Sequence, residues 1–216
     1  GVDLIHRAEG VSVHAIGTPL ITNSDGTKFG KSEGNAIWLD PTMCSPYAFY
    51  QFWLNTDDAD VATRLKVFTF LTRAEIEALE QKVADEPFRR EAQRRLAWEV
   101  TALVHGVDAA TAAIDASQAL FGQGELGALD AETLAAALRE LPNITAPAGL
   151  TVVQALVDTG LCSSLGEARR AVAQGGVSLD NVKVADEAST ITGALPGGVS
   201  VLRRGKKTLA GIFIEG

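Results

Sequence analysis

Residues 142–149, Pro142-Asn143-Ile144-Thr145-Ala146-Pro147-Ala148-Gly149, separate two stretches with different hydrophobic periods. Ahead of them apolar residues recur at helical spacing. Beyond them short helices give way to brief β-like runs bounded by glycines. One period carried throughout would suit a single bundle or a single sheet. A switch of period requires a helical part joined to a separate α+β module, with 142–149 as the linker. The chain's 216 residues suffice for this, at roughly 150 residues per domain. Apolar residues make up 46% and charged residues 21%, which excludes a disordered chain. No apolar run reaches the ~20 residues needed to span a bilayer.

The helical part is expected over 41–141. Ser45-Pro46 opens a helix with proline at its first position, followed by Tyr47, Tyr50, Trp53 and Leu54 on one face. Asp60 to Leu71 repeats the pattern through Val61, Leu65 and Phe68. Thr72 and Glu75 have capping-box spacing for the next helix. Pro87 to His105 reads as one long helix stopped by Gly106, then Ala109 to Leu120 ends at Gly122, and Asp130 caps a helix to Leu141. Phe49, Phe52, Trp53 and Phe70 fall at core spacing and are assigned to packing. The last module, 150–216, is expected to carry helices at Thr151 to Asp158 and after the Ser164/Glu167 capping pair. Strands follow at 177–179, 182–184, 199–202 and 208–214, with Gly205-Lys206-Lys207 as a turn.

Residues 1–40 have a third character. Asn23-Ser24-Asp25-Gly26-Thr27 is a strong loop signal, and Gly30 and Gly34 keep the following stretch irregular. Forty such residues cannot bury a core by themselves. The start, Gly1-Val2-Asp3-Leu4, lacks an initiator Met and a signal peptide's pattern, so it is expected to continue a domain begun elsewhere. Two cysteines, Cys44 and Cys162, make no disulfide framework and suit a reducing cytoplasm.

Two constellations carry chemistry. Lys28-Phe29-Gly30-Lys31-Ser32 sets two ammonium groups around a glycine. Lysines act as point charges for phosphate oxygens, and pliant backbone lets further donors close around them. Taken alone, the pentapeptide fits a solvated surface loop equally well. The second is basic: Arg169 and Arg170 on a helix, and Arg203, Arg204, Lys206 and Lys207 at a strand end. Such a helix and turn suit the phosphates of structured RNA, while paired surface arginines also occur merely to solvate a helix. The formal net charge of -8 argues against nucleic acid at first sight. Its distribution is uneven: residues 1–149 hold 12 basic and 21 acidic side chains, residues 150–216 hold 7 and 6. Any RNA contact is therefore local. Arg89, Arg90, Arg94 and Arg95 lie close in sequence to Glu86, Glu91 and Glu99, which reads as a salt-bridged face. His6, His14 and His105 share no ligand spacing, so no metal site is expected.

The run Pro19-Leu20-Ile21-Thr22-Asn23-Ser24-Asp25-Gly26-Thr27-Lys28-Phe29-Gly30-Lys31-Ser32, followed by Ala36-Ile37-Trp38-Leu39-Asp40, resembles the KMSKS region of bacterial tyrosyl-tRNA synthetases. Ser45-Pro46-Tyr47, Phe49-Tyr50-Gln51-Phe52-Trp53, Phe68-Thr69-Phe70-Leu71 and Val201-Leu202-Arg203-Arg204-Gly205-Lys206-Lys207 extend the likeness over nearly the whole chain. The resemblance implies the C-terminal half of such an enzyme, mixed α and α+β. Residues 1–40 would end a Rossmann-type class I catalytic domain, and 41–141 would be the α-helical anticodon-binding domain. Residues 150–216 would be an alpha-L RNA-binding module. Family members join L-tyrosine to ATP, taken with Mg2+, as tyrosyl-adenylate, and transfer tyrosine to tRNA(Tyr). By that resemblance Lys28, Phe29, Gly30, Lys31 and Ser32 bind ATP, with Lys28, Lys31 and Ser32 assisting catalysis. Arg169, Arg170, Arg203, Arg204, Lys206 and Lys207 bind tRNA. A cytoplasmic homodimer assembled through the catalytic domain is also implied. His6 stands where the family usually has Arg. The HIGH-type motif and the tyrosine-recognising residues are absent, so this chain is not expected to aminoacylate alone. The alternative is a non-catalytic RNA-binding protein using the alpha-L module, which has no need of a KFGKS loop. A purely structural helical protein leaves both basic clusters unexplained.

Overall fold

A computed structural model describes residues 1–18, 20–30, 37–121, 124–206 and 208–215. The chain divides into two compact units, Gly1–Ala36 and Ile37–Gly216. In the first, helix α1 (Val2–Glu9) buries none of its side chains and ends at Gly10, whose φ is 70°. A short antiparallel bridge, Thr22 with Lys28, is its other regular feature among the described residues.

The second unit opens with a helical layer. Helix α2 (Pro46–Leu54) starts where Ser45 caps it through Ala48 N–H, and buries Tyr47, Phe49, Tyr50 and Trp53. Helix α3 (Asp58–Phe68) begins earlier and stops sooner than the periodicity predicts, because Thr69 turns to extended backbone. Phe70 therefore leaves the helical face and is 89% exposed, against its expected packing role. Helix α4 (Arg73–Asp85) carries the full Thr72/Glu75 capping box. The long helix expected from Pro87 is broken: a 3-10 turn (Pro87–Arg89) is followed by Arg90 at φ 50°, and only then by α5 (Glu91–His105). Helices α6 (Val107–Leu120) and α7 (Ala131–Arg139) complete the layer, the latter capped by Asp130 through Thr133 N–H. Gly122, the expected stop after α6, lies outside the described residues. Phe49 is the aromatic hinge of the core, meeting Trp53 edge-on at 6.2 Å and His105 at 4.8 Å.

The α+β part is a five-stranded sheet with order β1-β5-β4-β2-β3. Its strands are β1 (Asn143–Ala146), β2 (Val177–Leu179), β3 (Val182–Lys183), β4 (Val199–Arg204) and β5 (Thr208–Ile214). β1 lies within the stretch read as a linker. It pairs in parallel with β5, Asn143 opposite Gly211 through Ala146 opposite Ile214. The other pairings are antiparallel. Helices α8 (Val152–Asp158) and α9 (Leu165–Ala173) cover one face, over a core that includes Val153, Leu156, Ile191, Leu202 and Ile212. The β2–β3 turn is two residues long, with Asp180 at φ 50° and Asn181 at φ 63°. Both residue types tolerate the left-handed conformation that such tight hairpins demand. Helix α7 packs directly on β5. A Cβ built on Gly211 would stand 2.8 Å from Leu138 Cβ and 3.1 Å from Leu138 O.

Candidate functional site

The signature loop is entered through a small hairpin. Thr22 bridges Lys28, Asn23 O accepts from Gly26 N–H at 2.9 Å, and Phe29 N–H donates to Ile21 O at 3.1 Å. Asp25 closes the turn by accepting from the Thr27 hydroxyl at 2.6 Å and from Thr27 N–H at 2.9 Å. Those two bonds, the hydroxyl foremost, hold its carboxyl below the ordinary carboxylate range. The local chemistry is that of an aspartate-capped turn, which needs only Asp-x-Thr and a glycine at positive φ. Lys28 leaves this hairpin exposed, Phe29 half-buried, and Gly30 reverses direction at φ 74°. Lys31 and Ser32 lie outside the described residues. The structure thus positions one of the two signature lysines, at the exit of a hydrogen-bonded turn.

The basic residues of the last module separate into two kinds. Arg169 and Arg170 are exposed on α9, and Arg169 faces Glu187 at 3.4 Å with both side chains largely in solvent. An exposed pair of that kind contributes little and is easily exchanged for another anion. Lys206 is exposed in the β4–β5 turn, and Lys207 lies outside the described residues. Arg203 and Arg204, by contrast, are half-buried and bonded to protein oxygens. Arg204 donates to Leu161 O at 2.5 Å and to Glu167 Oε1 at 2.6 Å. Glu167 also accepts from Ser163 N–H at 2.8 Å and Ser163 Oγ at 2.6 Å. Bonds from the Ser163 hydroxyl and amide, with the Arg204 guanidinium, pull the Glu167 carboxyl down to about 2. Ser164 caps α9 through Glu167 N–H as expected, but the glutamate reaches Ser163 and Arg204 instead of completing the box.

Arg203 reaches further. Its Nη2 donates to Leu120 O at 2.6 Å and to Asn181 Oδ1 at 2.9 Å. Sequence reading did not single out Asn181 or Lys183. Asp180-Asn181 between two apolar-polar runs is a hairpin signal that would have placed both. Lys183 is exposed on β3 and lies over Gly175, joining the side of the sheet where Gly205 N–H bonds Gly176 O at 2.8 Å.

Among the helical arginines the salt-bridged reading holds for Arg89, 3.1 Å from Glu86, and for Arg95, 2.7 Å from Glu99. Arg90 differs: its Nη2 donates to Leu54 O at 2.7 Å and Thr56 O at 3.2 Å, capping the end of α2. Arg94 is exposed. Among the described residues, no group of three or more His, Cys, Asp or Glu side chains is placed to hold a metal ion.

Comparison with known families decides between the candidate classes. The family described as "tRNA synthetases class I (W and Y)" matches residues 1–122, and "Tyrosine--tRNA ligase SYY-like C-terminal domain" matches 133–211. The chain belongs to the class I tRNA synthetases. A protein named tyrosine–tRNA ligase from Leifsonia xyli subsp. xyli is 68% identical over 100% of this chain and 49% of its own length. One of the same name from Streptomyces avermitilis is 53% identical over 100% of this chain and 52% of its own. A solved structure, the C-terminally truncated mitochondrial tyrosyl-tRNA synthetase of Coccidioides posadasii, is 40% identical over 45% of this chain and 25% of its own, with a TM-score of 0.39. This synthetase chain spans about half the length of the curated relatives it matches.

Proposed function

We propose that this chain is the part of a tyrosine–tRNA ligase that carries the KMSKS-type loop and the tRNA-binding surfaces. The carrying observation is the pairing of two family matches on one chain with a hairpin that presents exposed Lys28. A protein that only bound RNA would have no use for a phosphate-directed lysine loop. In this reading the complete enzyme activates L-tyrosine with ATP, releases pyrophosphate and passes tyrosine to tRNA(Tyr). Lys28 and Lys31 meet the negative charge that builds on the leaving pyrophosphate, and interactions stronger there than in the ground state accelerate the step. Phe29 and Gly30 lie between them in the loop, and Ser32 closes the motif. Magnesium enters with ATP as part of the substrate. No carboxylate cluster among the described residues offers it a seat.

The finer architecture follows the same reading: 1–40 as the end of a Rossmann-type catalytic domain, 41–141 as the anticodon-binding domain, and an alpha-L module after it. The cut between the last two belongs ahead of β1, because Asn143–Ala146 is a strand of the module's sheet. Of the six basic residues assigned to tRNA, Arg169, Arg170 and Lys206 are the described ones that stand exposed. A cytoplasmic homodimer is part of the same proposal. Lys31→Ala in the complete enzyme is expected to slow tyrosine-dependent pyrophosphate exchange at least tenfold, about 1.4 kcal/mol in the barrier, with tyrosine binding retained. Unchanged exchange would remove the role given to the loop.

A further inference from the structure

Arg203 sits where the sheet meets the helical layer. Leu120 and Ala119 are the closing residues of α6, and the Leu120 carbonyl is among those that a helix leaves without an internal partner. The Arg203 fork reaches Leu120 O and Asn181 Oδ1, and Asn181 Nδ2 donates to Ala119 O at 3.4 Å. Asn181 is itself fixed: the preceding Asp180 carboxylate accepts from Val201 N–H at 2.7 Å and Ser200 Oγ at 3.2 Å. One guanidinium therefore ties β4, the β2–β3 turn and the end of α6 together across a sequence separation of 83 residues.

We propose that Arg203 is a positioning residue: it locks the C-terminal sheet to the end of α6 and so sets where the module's exposed cations stand, and it is not itself a phosphate ligand. The proposal rests on the tRNA-binding reading above for its consequence, though not for its geometry. A cation at a helix C-terminus meets the negative end of the helix dipole. Arginine suits the place because its planar guanidinium holds the two N–H groups of Nη2 in fixed directions toward two acceptors, where lysine offers a single mobile point charge. The group is half-buried, and burial alone lowers its pKa, as expected of a guanidinium turned inward. Both Nη2 protons are committed to protein oxygens, and Nη1 donates to Lys206 O at 3.5 Å, so most of the guanidinium's donors are turned to the protein.

Arg203→Lys separates the two roles, since it keeps the charge and loses the fork. The test uses the 216-residue chain, residual dipolar couplings of backbone amides in the helical layer and in the sheet, and the salt dependence of binding to a tRNA(Tyr) transcript. Arg203→Ala and Arg203→Lys are both expected to rotate the sheet's alignment frame away from the helical one. Both should also weaken tRNA binding by about tenfold, the scale of one lost charge-assisted hydrogen bond, with the log–log salt slope unchanged. Arg170→Ala, in contrast, should lower that slope by about one and leave the alignment alone. The lock is overturned if both Arg203 variants keep the parent's single alignment, or if Lys restores binding while Ala lowers the slope by about one. If the parent chain binds no tRNA, the RNA reading fails, and the alignment measurement still decides whether Arg203 locks the two parts.

Discussion

Gly211 offers a stringent test of how the sheet is seated on the helical layer. It lies in β5 opposite Asn143 of β1 on one side and Val201 of β4 on the other, so its backbone is held from both edges. Leu138 presses on it from α7 and is fully buried. In Gly211→Ala the new Cβ would lie 2.8 Å from Leu138 Cβ and 3.1 Å from Leu138 O. Neither atom is the far end of a flexible chain, so the helix itself must retreat. Overpacking of this kind costs about 1–3 kcal/mol. Replacing a strand glycine by alanine returns roughly 0.5–1 kcal/mol of backbone entropy. The net loss is then about 0–2.5 kcal/mol with a midpoint of ~1.3 kcal/mol, which for a unit of this size lowers Tm by roughly 3–5 °C. Gly166 is the internal control. It occupies the first turn of α9, and its nearest neighbour for a Cβ is the Arg170 Nη1 tip at 3.7 Å. Gly166→Ala should stabilise by up to about 1 kcal/mol from helix propensity. Thermal unfolding of the two variants beside the parent chain, followed by circular dichroism, measures both. Opposite signs are expected. If Gly211→Ala melts at or above the parent temperature, the close approach of α7 to β5 does not constrain the fold and the reasoning fails.

Other consequences concern charge and backbone strain. Glu167 is held near 2, below its usual 4.5, so its contribution is present above pH 4.5 and fades as the pH falls toward 2. Glu167→Gln should flatten that acid limb in urea titrations of the chain, and an unaltered limb would deny the Ser163–Glu167–Arg204 cluster its role. His105 acts in the same direction. Burial lowers its pKa below 6.5, and its buried Nε2 finds no hydrogen-bond partner among the described residues. The unfolded chain therefore binds the proton more readily, and stability should decline as pH drops through about 6.5. His105→Gln should remove that decline, with denaturation midpoints between pH 7 and 5 as the readout. Arg90 combines a left-handed backbone with two bonds to the end of α2. Arg90→Ala should cost about 1–3 kcal/mol in chemical denaturation and Arg90→Gly about 1 kcal/mol less, because glycine accepts the positive φ.

The sequence was legible where structure is local. Ser45, Thr72, Asp130, Thr151 and Ser164 each cap the helix that follows them; spacing alone assigns that task to Thr72, Asp130 and Ser164, and Pro46 marks the helix that Ser45 caps. It was illegible where the deciding partner is distant. Nothing near Arg90 marks a helix break: no glycine or proline follows Pro87 before Gly106, and the left-handed turn is explained by carbonyls 34 and 36 residues away. Asn143–Ala146 carries prolines on both sides and reads as linker, yet it becomes a strand because β5 exposes an edge for it. Phe70 has core chemistry and helical spacing, but Thr69 ends α3 one residue earlier.

The candidate RNA surface shows the same division most sharply, because charge is read from sequence and its availability is not. Residues 203–207 are a basic run by composition, and family resemblance assigns the whole run to tRNA. In three dimensions Arg203 is turned to α6 and Arg204 to Glu167, while Lys206 faces solvent. Lys183, 20 residues upstream of Arg203, faces solvent on the same sheet and carries no ion pair among the described residues. Lys183→Ala should accordingly weaken binding to a tRNA(Tyr) transcript more than Arg204→Ala does at equal fold stability, and should lower the salt slope by about one for the phosphate released. Arg204→Ala should instead lower the urea midpoint, by freeing Glu167 and the Leu161 carbonyl. A Lys183→Ala protein with the parent's slope, beside an Arg204→Ala protein with a reduced one, would return the RNA contact to the arginine pair.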